Sequence, residues 1–330
     1  MKNIFITGGS GYIGSHIVVS LFENNYNPII LDNFSNSHKD TIKKQEKISK
    51  KKITFYDVDL RNKKKLNLIF KKHRCDTVVH CAGYKSINES IKEPILYFDN
   101  NIISTLSLLE CMKQFKIFNL IFSSSASVYD INQSLPLKEN SKIGNTTNSY
   151  ANSKYIIERI LSDLVKSDKR WKISIARYFN PISNHFSGLI KENPKGIPNN
   201  LVPVIINVAQ KKNKKLKIFG KDFNTRDGTG IRDYIHVMDL AYGHIALIKN
   251  NRKKIGLKIF NFGTGKGSSV LEVIKTFEKN LEIKIPYKFV KKREGDAEIS
   301  YCSIKKAIKE LGWKNKYSLN DAMFNIKKIL

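Results

Sequence analysis

The sequence predicts an α/β fold built on a doubly wound parallel sheet, and three observations predict it. An apolar run at residues 4–6 is followed by the turn Gly8-Gly9-Ser10-Gly11-Tyr12-Ile13-Gly14 and then by an amphipathic run carrying Ile13, Ile17, Val18, Leu21 and Phe22. A second apolar run, 28–31, ends on Asp32, about 20 residues past the turn. Strand-length apolar runs then alternate with helix-length runs to residue 177, the pattern of parallel strands joined by crossover helices.

The first strand, turn and helix read as the opening of a dinucleotide-binding βαβ unit, so the sheet is expected to be Rossmann-like. Gly8 permits a tight turn, Gly11 lets backbone N–H groups approach a pyrophosphate, and Gly14 lets the helix pack closely. The anion would sit on the positive end of that helix. Glycine-rich turns also close ordinary hairpins. Asp32 favours the dinucleotide reading, because a carboxylate there accepts from an adenosine ribose 2'-OH. It would repel a 2'-phosphate, and Asn33-Phe34-Ser35 offer no arginine to receive one, so NAD is expected rather than NADP.

Further strands are expected at 53–58, 77–80, 120–123 and 173–177, and helices at about 63–72, 95–115 and 149–167. Asp59 and Leu60 follow the third strand and could bracket an adenine. Cys81, Ala82 and Gly83 follow the fourth, where small residues let backbone approach a ligand at the carboxyl edge of the sheet. Both stretches also read as plain strand-to-helix turns. Beyond residue 180 the alternation fades, and Pro181, Pro194, Gly196, Pro198, Asn199 and Asn200 punctuate a loop region. The expected division is a dinucleotide-binding unit at 1–180 and a smaller, mostly C-terminal α/β substrate-binding lobe at 181–330. A segment at about 233–264, with a helix near 237–249 and a strand near 258–262, partly returns to the first unit.

Composition narrows the classes. The 330 residues are 41% hydrophobic, ordinary for a globular chain, with no run long enough to span a membrane and no signal peptide, so a cytoplasmic location is expected. Cys75, Cys81, Cys111 and Cys302 have no paired spacing and read as free thiols, and neither they nor the seven histidines suggest a metal site. The net charge of +29 could mark a nucleic-acid surface, but only nine of the 58 basic residues are arginines. The lysines spread over loops and helix faces without interleaved aromatics, which favours a solvated surface over specific nucleic-acid binding.

Tyr150 and Lys154 lie four residues apart, hence on one helix face. A fixed ammonium and a cationic nicotinamide would both favour the phenolate, making Tyr150 a general base. Ser123-Ser124-Ser125 end a strand entering the same crevice and could supply a hydroxyl that orients a sugar oxygen and relays its proton.

Several motifs carry a resemblance to a known family: the turn Thr7-Gly8-Gly9-Ser10-Gly11-Tyr12-Ile13-Gly14; Ser125 with Tyr150 and Lys154; Arg177-Tyr178-Phe179-Asn180-Pro181; Gly196-Ile197-Pro198-Asn199-Asn200-Leu201; Asp227-Gly228-Thr229-Gly230-Ile231-Arg232-Asp233-Tyr234-Ile235-His236-Val237; and Arg293-Glu294-Gly295-Asp296. In this order they resemble the UDP-glucose 4-epimerases, a family of extended short-chain dehydrogenase/reductases. The resemblance implies that Asp32, Asn33, Asp59, Leu60, Lys85, Asn100, Tyr150, Lys154 and Tyr178 contact NAD, together with the turn residues Gly8, Gly11, Tyr12, Ile13 and Gly14 and with Cys81, Ala82, Gly83 and Ser123. It implies that Asn180, Asn200, Leu201, Phe219, Arg232, Arg293 and Asp296 hold the UDP-sugar, with Lys85, Ser125 and Tyr150 at the sugar. Arg232 and Arg293 suit bidentate contact to a diphosphate.

The implied reaction is inversion at C4 through a 4-keto sugar, with tightly retained NAD and a homodimer assembled through helices 95–115 and 149–167. Ser300, at the position that gates the sugar pocket in this family, is small and implies acceptance of N-acetylated UDP-sugars. The chain departs from the family pattern at Asp130 in Val128-Tyr129-Asp130 and at Ala151-Asn152 after Tyr150, and neither change replaces a reacting group. Dehydratases and decarboxylases of the same superfamily carry acidic residues just after this strand's serine or threonine, where this chain has Ser125-Ala126-Ser127. A non-catalytic dinucleotide sensor could dispense with the base, which this chain keeps. A basic RNA-binding protein on a relic fold would show a steep salt dependence and no sugar turnover.

Overall fold

The computed structural model describes every residue except Asn132, Ile197, 252–254 and Glu294; two motif positions, Ile197 and Glu294, thus lie outside the described residues. Strand β1 (Lys2–Thr7) leads through the glycine turn into α1 (Tyr12–Glu23), then β2 (Tyr26–Asp32), α2 (Asp40–Ser49), β3 (Thr54–Asp57), α3 (Lys63–Lys72) and β4 (Thr77–His80). Helix α2 was not foreseen. It buries only Ile42 and Gln45, so its sequence carries almost no apolar stripe.

The helix expected at 95–115 is interrupted. After the short α4 (Ile87–Lys92), α5 (Pro94–Phe98) runs into a π-helical turn, Asp99–Ile103, and on into α6 (Ser104–Gln114). Such a bulge shifts the helix face by one residue and is common at functional sites; here it turns Asn100 and Asn101 inward, both buried. Strand β5 (Asn119–Ser125), α7 (Ser149–Ser167) and β6 (Lys172–Tyr178) complete this half. Asn148 starts α7 by accepting from Ala151 N at 2.9 Å, so Tyr150 falls in the first turn.

The C-terminal half runs β7 (Asn180–Ile182), α8 (Leu201–Ala209), β8 (Leu216–Phe219), β9 (Ile231–Arg232), β10 (Tyr234–His236), α9 (Val237–Asn251) and β11 (Gly256–Phe262). It ends with β12 (Ser268–Ser269), α10 (Val270–Leu281), β13 (Tyr287–Val290), β14 (Ile299–Ser300), α11 (Lys305–Leu311) and α12 (Leu319–Ile326).

The central sheet is seven-stranded and parallel throughout, in the order β11-β6-β5-β4-β1-β2-β3. Side chains alternate across it. Ile4 and Ile6 of β1 pack with Ile17 and Leu21 of α1 and with Leu240 and Ile248 of α9, while Phe5 faces Leu66, Phe70, Leu108 and Met112. Both faces are therefore covered, as a parallel sheet requires. A third core joins Val202 and Ile205 of α8, Leu216 and Ile218 of β8, Phe277 of α10 and Met323 of α12. Burying each such side chain contributes roughly 1.5–3 kcal/mol. The reversal of strand order falls between β1 and β4, where doubly wound sheets open a crevice.

Candidate active site

A cleft of about 1160 Å³ opens at the carboxyl ends of β1, β2, β3 and β4. Gly8 has φ of +67°, and a Cβ there would lie 2.8 Å from Ala82 N. At Gly14 a Cβ would lie 2.1 Å from Gly8 O, so this glycine is required by the turn itself rather than by the body of the strand. Gly11 stands at the N-terminus of α1 with no side-chain cap, leaving the first N–H groups of the helix for an anion.

Asp32 accepts from Ser10 N at 2.9 Å, Phe34 N at 2.9 Å and Ser37 Oγ at 3.0 Å, which fixes its carboxylate at the rim of the cleft. Burial raises its pKa against the pull of these donors. Asp59 is held by Arg61 through N at 2.9 Å, Nε at 3.0 Å and a terminal nitrogen at 2.6 Å, and Arg61 also pairs with Asp99. The guanidinium keeps the Asp59 carboxyl below the usual range. Asn33 reaches Asp59 at 3.4 Å.

The structure brings most of the expected cofactor residues to this one cleft. They are Gly8, Gly11, Tyr12, Ile13 and Gly14 of the turn, Asp32 and Asn33 after β2, Asp59 and Leu60 after β3, Cys81, Ala82, Gly83 and Lys85 after β4, Asn100 of the π turn and Ser123 of β5. Tyr150, Lys154 and Tyr178 are not among the lining residues. Tyr178 is turned inward: its hydroxyl meets His244 Nε2 at 2.6 Å, while His244 Nδ1 lies 2.9 Å from Leu240 O.

Beside the cleft, Lys154 Nζ donates to Ser123 O at 2.8 Å and lies 4.8 Å from the centre of the Phe122 ring. A Cβ added at Gly83 would lie 3.7 Å from this nitrogen, so the ammonium borders the cleft wall. Burial lowers Lys154 to about 8, against the raising influence of Cys81 and Glu158. The Tyr150 phenol faces the Ser125 hydroxyl; burial raises its pKa, while Ser125 and the charge of Lys85 pull it down. Burial thus exceeds the lowering that polar and charged neighbours supply. Ser125 Oγ also accepts from Ser127 Oγ at 2.8 Å and Ser127 N at 3.2 Å.

The expected sugar-nucleotide residues form three groups. Arg232 pairs with Asp296, and Ser300 lies opposite Arg232 in the β14–β9 register. The Arg293 guanidinium stacks on Phe219, 4.0 Å from the ring centre. Asn200, the residue just before α8, donates to Glu192 Oε1 at 2.7 Å, and Lys85 Nζ donates to the same oxygen at 2.5 Å. Leu201 follows Asn200 as the first residue of α8, and Asn180 N donates to Asp233 O at 2.9 Å. Of these residues only Lys85 lines the cleft.

Glu192, Asn101 and Arg61 were missed from sequence. Asn101 accepts from Tyr84 N at 2.8 Å and donates to Tyr84 O at 3.1 Å and Ser153 Oγ at 3.0 Å, tying the loop after β4 to α7. A buried asparagine next to Asn100 was the available signal. Among the described residues no cluster suited to a metal ion occurs, and no helix is long and apolar enough to cross a membrane.

A Rossmann-like parallel sheet with a serine, tyrosine and lysine at the edge of its crevice defines an extended short-chain dehydrogenase/reductase. A family model described as GDP-mannose 4,6 dehydratase matches residues 5–325. UDP-glucose 4-epimerase 2 of Arabidopsis thaliana is 45% identical over 324 residues, covering 97% of this chain and 92% of the relative. UDP-glucose 4-epimerase from Bifidobacterium longum, solved in complex with NAD+ and UDP, superposes with a TM-score of 0.96 at 43% identity, covering 99% of this chain and 98% of that one. The UDP-Glc/GlcNAc 4-epimerase of Campylobacter jejuni gives 0.86 at 30% identity, covering 99% and 98%. The chain belongs to the UDP-glucose 4-epimerase family.

Proposed function

We propose that this protein interconverts UDP-glucose and UDP-galactose, with NAD retained in the cleft throughout. The observation that carries the reading is the Lys154 ammonium, held on Ser123 O between the helix turn of Tyr150 and the strand end of Ser125, at the edge of a cleft whose turn has no room for a Cβ at Gly8 or Gly14. The fit to a dinucleotide is chemical: N–H groups at the start of α1 for the pyrophosphate, Asp32 for a ribose hydroxyl, and Asp59 with Leu60 for the adenine. When bound, NAD supplies the two-electron oxidation of the sugar at C4 and its reversal. Tyr150 takes the C4 hydroxyl proton and returns it, Ser125 orients that oxygen, and the Lys154 charge favours the phenolate. Arg232 and Arg293 hold the diphosphate, Phe219 packs on the uracil side, and Asn180, Asn200, Leu201 and Asp296 complete the UDP contacts. A clamped UDP leaves the keto sugar free to present its other face.

Residues 1–180, with the return at about 233–264, form the NAD-binding part of this reading, and 181–330 mostly the sugar-nucleotide part. The small side chain at Ser300 admits N-acetylated UDP-sugars as well. Exposed Ile87, Ile91, Ile95, Leu96 and Ile103 on α4 to α6, with Ile95 82% exposed, support a homodimer through these helices and α7. Four free cysteines favour the reducing cytoplasm. The dehydratase named by the family model is disfavoured, because Ser125-Ala126-Ser127 offers no acidic pair for elimination. Incubation of the purified protein with UDP-galactose, followed by separation of products, tests the reading. UDP-glucose is expected; a 4-keto-6-deoxy product or no turnover overturns it.

A further inference from the structure

Tyr150, Lys154 and Glu158 follow one another at four-residue intervals along α7, so they form a single stripe. Glu158 lies beneath the two reacting residues and its side chain is 3% exposed; its partner Arg177 is 1% exposed. The pair is bidentate: Arg177 Nε donates to Glu158 Oε1 at 3.0 Å and a terminal nitrogen to Oε2 at 2.6 Å. Ser124 Oγ donates to Glu158 Oε1 at 2.5 Å. Arg177 is held further by the Glu139 carbonyl at 3.1 Å and by the Tyr129 ring, 4.7 Å from its centre.

These bonds fix three elements at one level. Ser124 sits between Ser123, whose carbonyl receives Lys154, and Ser125, which faces Tyr150. Arg177 lies opposite Ser124 in the β5–β6 register. One carboxylate therefore sets how α7 is seated on the strand ends that carry the other reacting groups. Stability does not explain its choice, since replacing a buried pair with apolar residues of similar volume is often neutral or stabilising.

The groups facing Lys154 are His80 and Cys81 at the end of β4, the Ser123 carbonyl and Phe122 ring of β5, and Tyr150 and Glu158 on its own helix. Burial keeps His80 neutral and pushes the Cys81 thiol up to about 12. The Glu158 carboxylate is balanced by the Arg177 guanidinium of β6, so the pair gives Lys154 position rather than net charge. We infer that Glu158, locked in place by Arg177, is a positioning residue that seats Tyr150 and Lys154 on the ends of β5 and β6.

The inference rests on the reading of Tyr150 and Lys154 as the catalytic pair. Two neutral replacements of the pair, E158Q/R177M and E158L/R177M, keep the volume without leaving a lone buried charge. Their kcat and KM for UDP-galactose are measured over a pH series beside the parent, with retained NAD and Tm as reports of folding. The expected result is a kcat at least about tenfold lower at little-changed KM, with NAD retained, while Glu158→Asp keeps much of the parent rate. A folded double variant with the parent kcat overturns the inference, and so does failure of both doubles to fold, which makes the pair structural. A parent protein that turns over no UDP-sugar sinks the proposed function and this inference with it, whereas failure of the inference alone leaves the parent active.

Discussion

Lys154 donates to the main-chain carbonyl of Ser123 at 2.8 Å, so the lysine is held by the strand that ends in Ser125. Tyr150→Phe is expected to lower kcat by about 10²–10⁴-fold with bound NAD retained, because it removes the base and leaves the cleft intact. Lys154→Met should lose comparable activity and weaken NAD as well, since Nζ borders Gly83 of the cleft wall. Turnover assays and nucleotide released on denaturation check both. Activity of Tyr150→Phe within tenfold of the parent removes the base assignment.

Gly14→Ala tests the turn. Its Cβ would lie 2.1 Å from Gly8 O and 2.9 Å from the backbone of Gly9, so the turn must open. A destabilisation of about 1–3 kcal/mol is expected, together with loss of tightly held nucleotide. Thermal melting and NAD titration read the two effects, and unchanged values in both contradict the steric account.

Ser300→Tyr tests the gate. Ser300 pairs in register with Arg232, so a bulky side chain there narrows the space next to the arginine proposed to hold the diphosphate. Turnover of UDP-N-acetylglucosamine should fall by at least about tenfold relative to UDP-glucose, a difference of roughly 1.4 kcal/mol. Equal loss on both sugars, or rejection of the acetylated sugar by the parent, removes the role given to Ser300.

Mild acid should destabilise the protein through its buried histidines. Burial lowers His16 and His80 from 6.5 to about 3, and His185, His236 and His244 from 6.5 to about 4. Below pH 6.5 the unfolded chain takes up protons at these sites while the folded chain does not, so stability falls as pH drops towards 4. Asp239 acts oppositely: burial raises it from 3.8 to about 6, so its folded form takes up a proton first and gains stability over that range. His73 is lowered as well, and Glu23, Asp32 and Asp233 are raised like Asp239, so six histidines stand against four carboxylates. The histidines, whose unfolded forms charge first on acidification, give a net loss, and a drop in Tm of several degrees between pH 7 and pH 5 is expected. A flat melting profile over that interval contradicts it.

The first half of the fold was legible because its strands, the exposed edge strand β3 apart, are buried on both faces and most of its helices carry apolar stripes. Helix α2, with Ile42 as its one buried apolar residue, lacked that signal. The π turn at Asp99–Ile103 was invisible because a one-residue bulge leaves the apolar content of the run unchanged. The cleft residues of the turn and the strand ends followed from local strand-turn-helix grammar, whereas Lys85 and Asn100 came from the family resemblance. Glu192 did not, because its role is visible only once Lys85 and Asn200, far apart in sequence, converge on one carboxylate oxygen. The inward turn of the Tyr178 hydroxyl depends likewise on His244, which arrives from α9.

Strand β11 is laid down next to β6 over seven register pairs, from Gly256 with Lys172 to Phe262 with Tyr178. The outer margin of the parallel sheet is thus sealed by chain that emerges only after β7, α8, β8, β9, β10 and α9 have been made. A fragment ending near residue 180 would leave β6 with a raw hydrogen-bonding border and the α1 side without the cover of α9, inviting self-association. The gene consequently cannot be cut into two independently folding modules at that point, and swapping the C-terminal half between relatives must carry β11 and α9 along with the sheet they close.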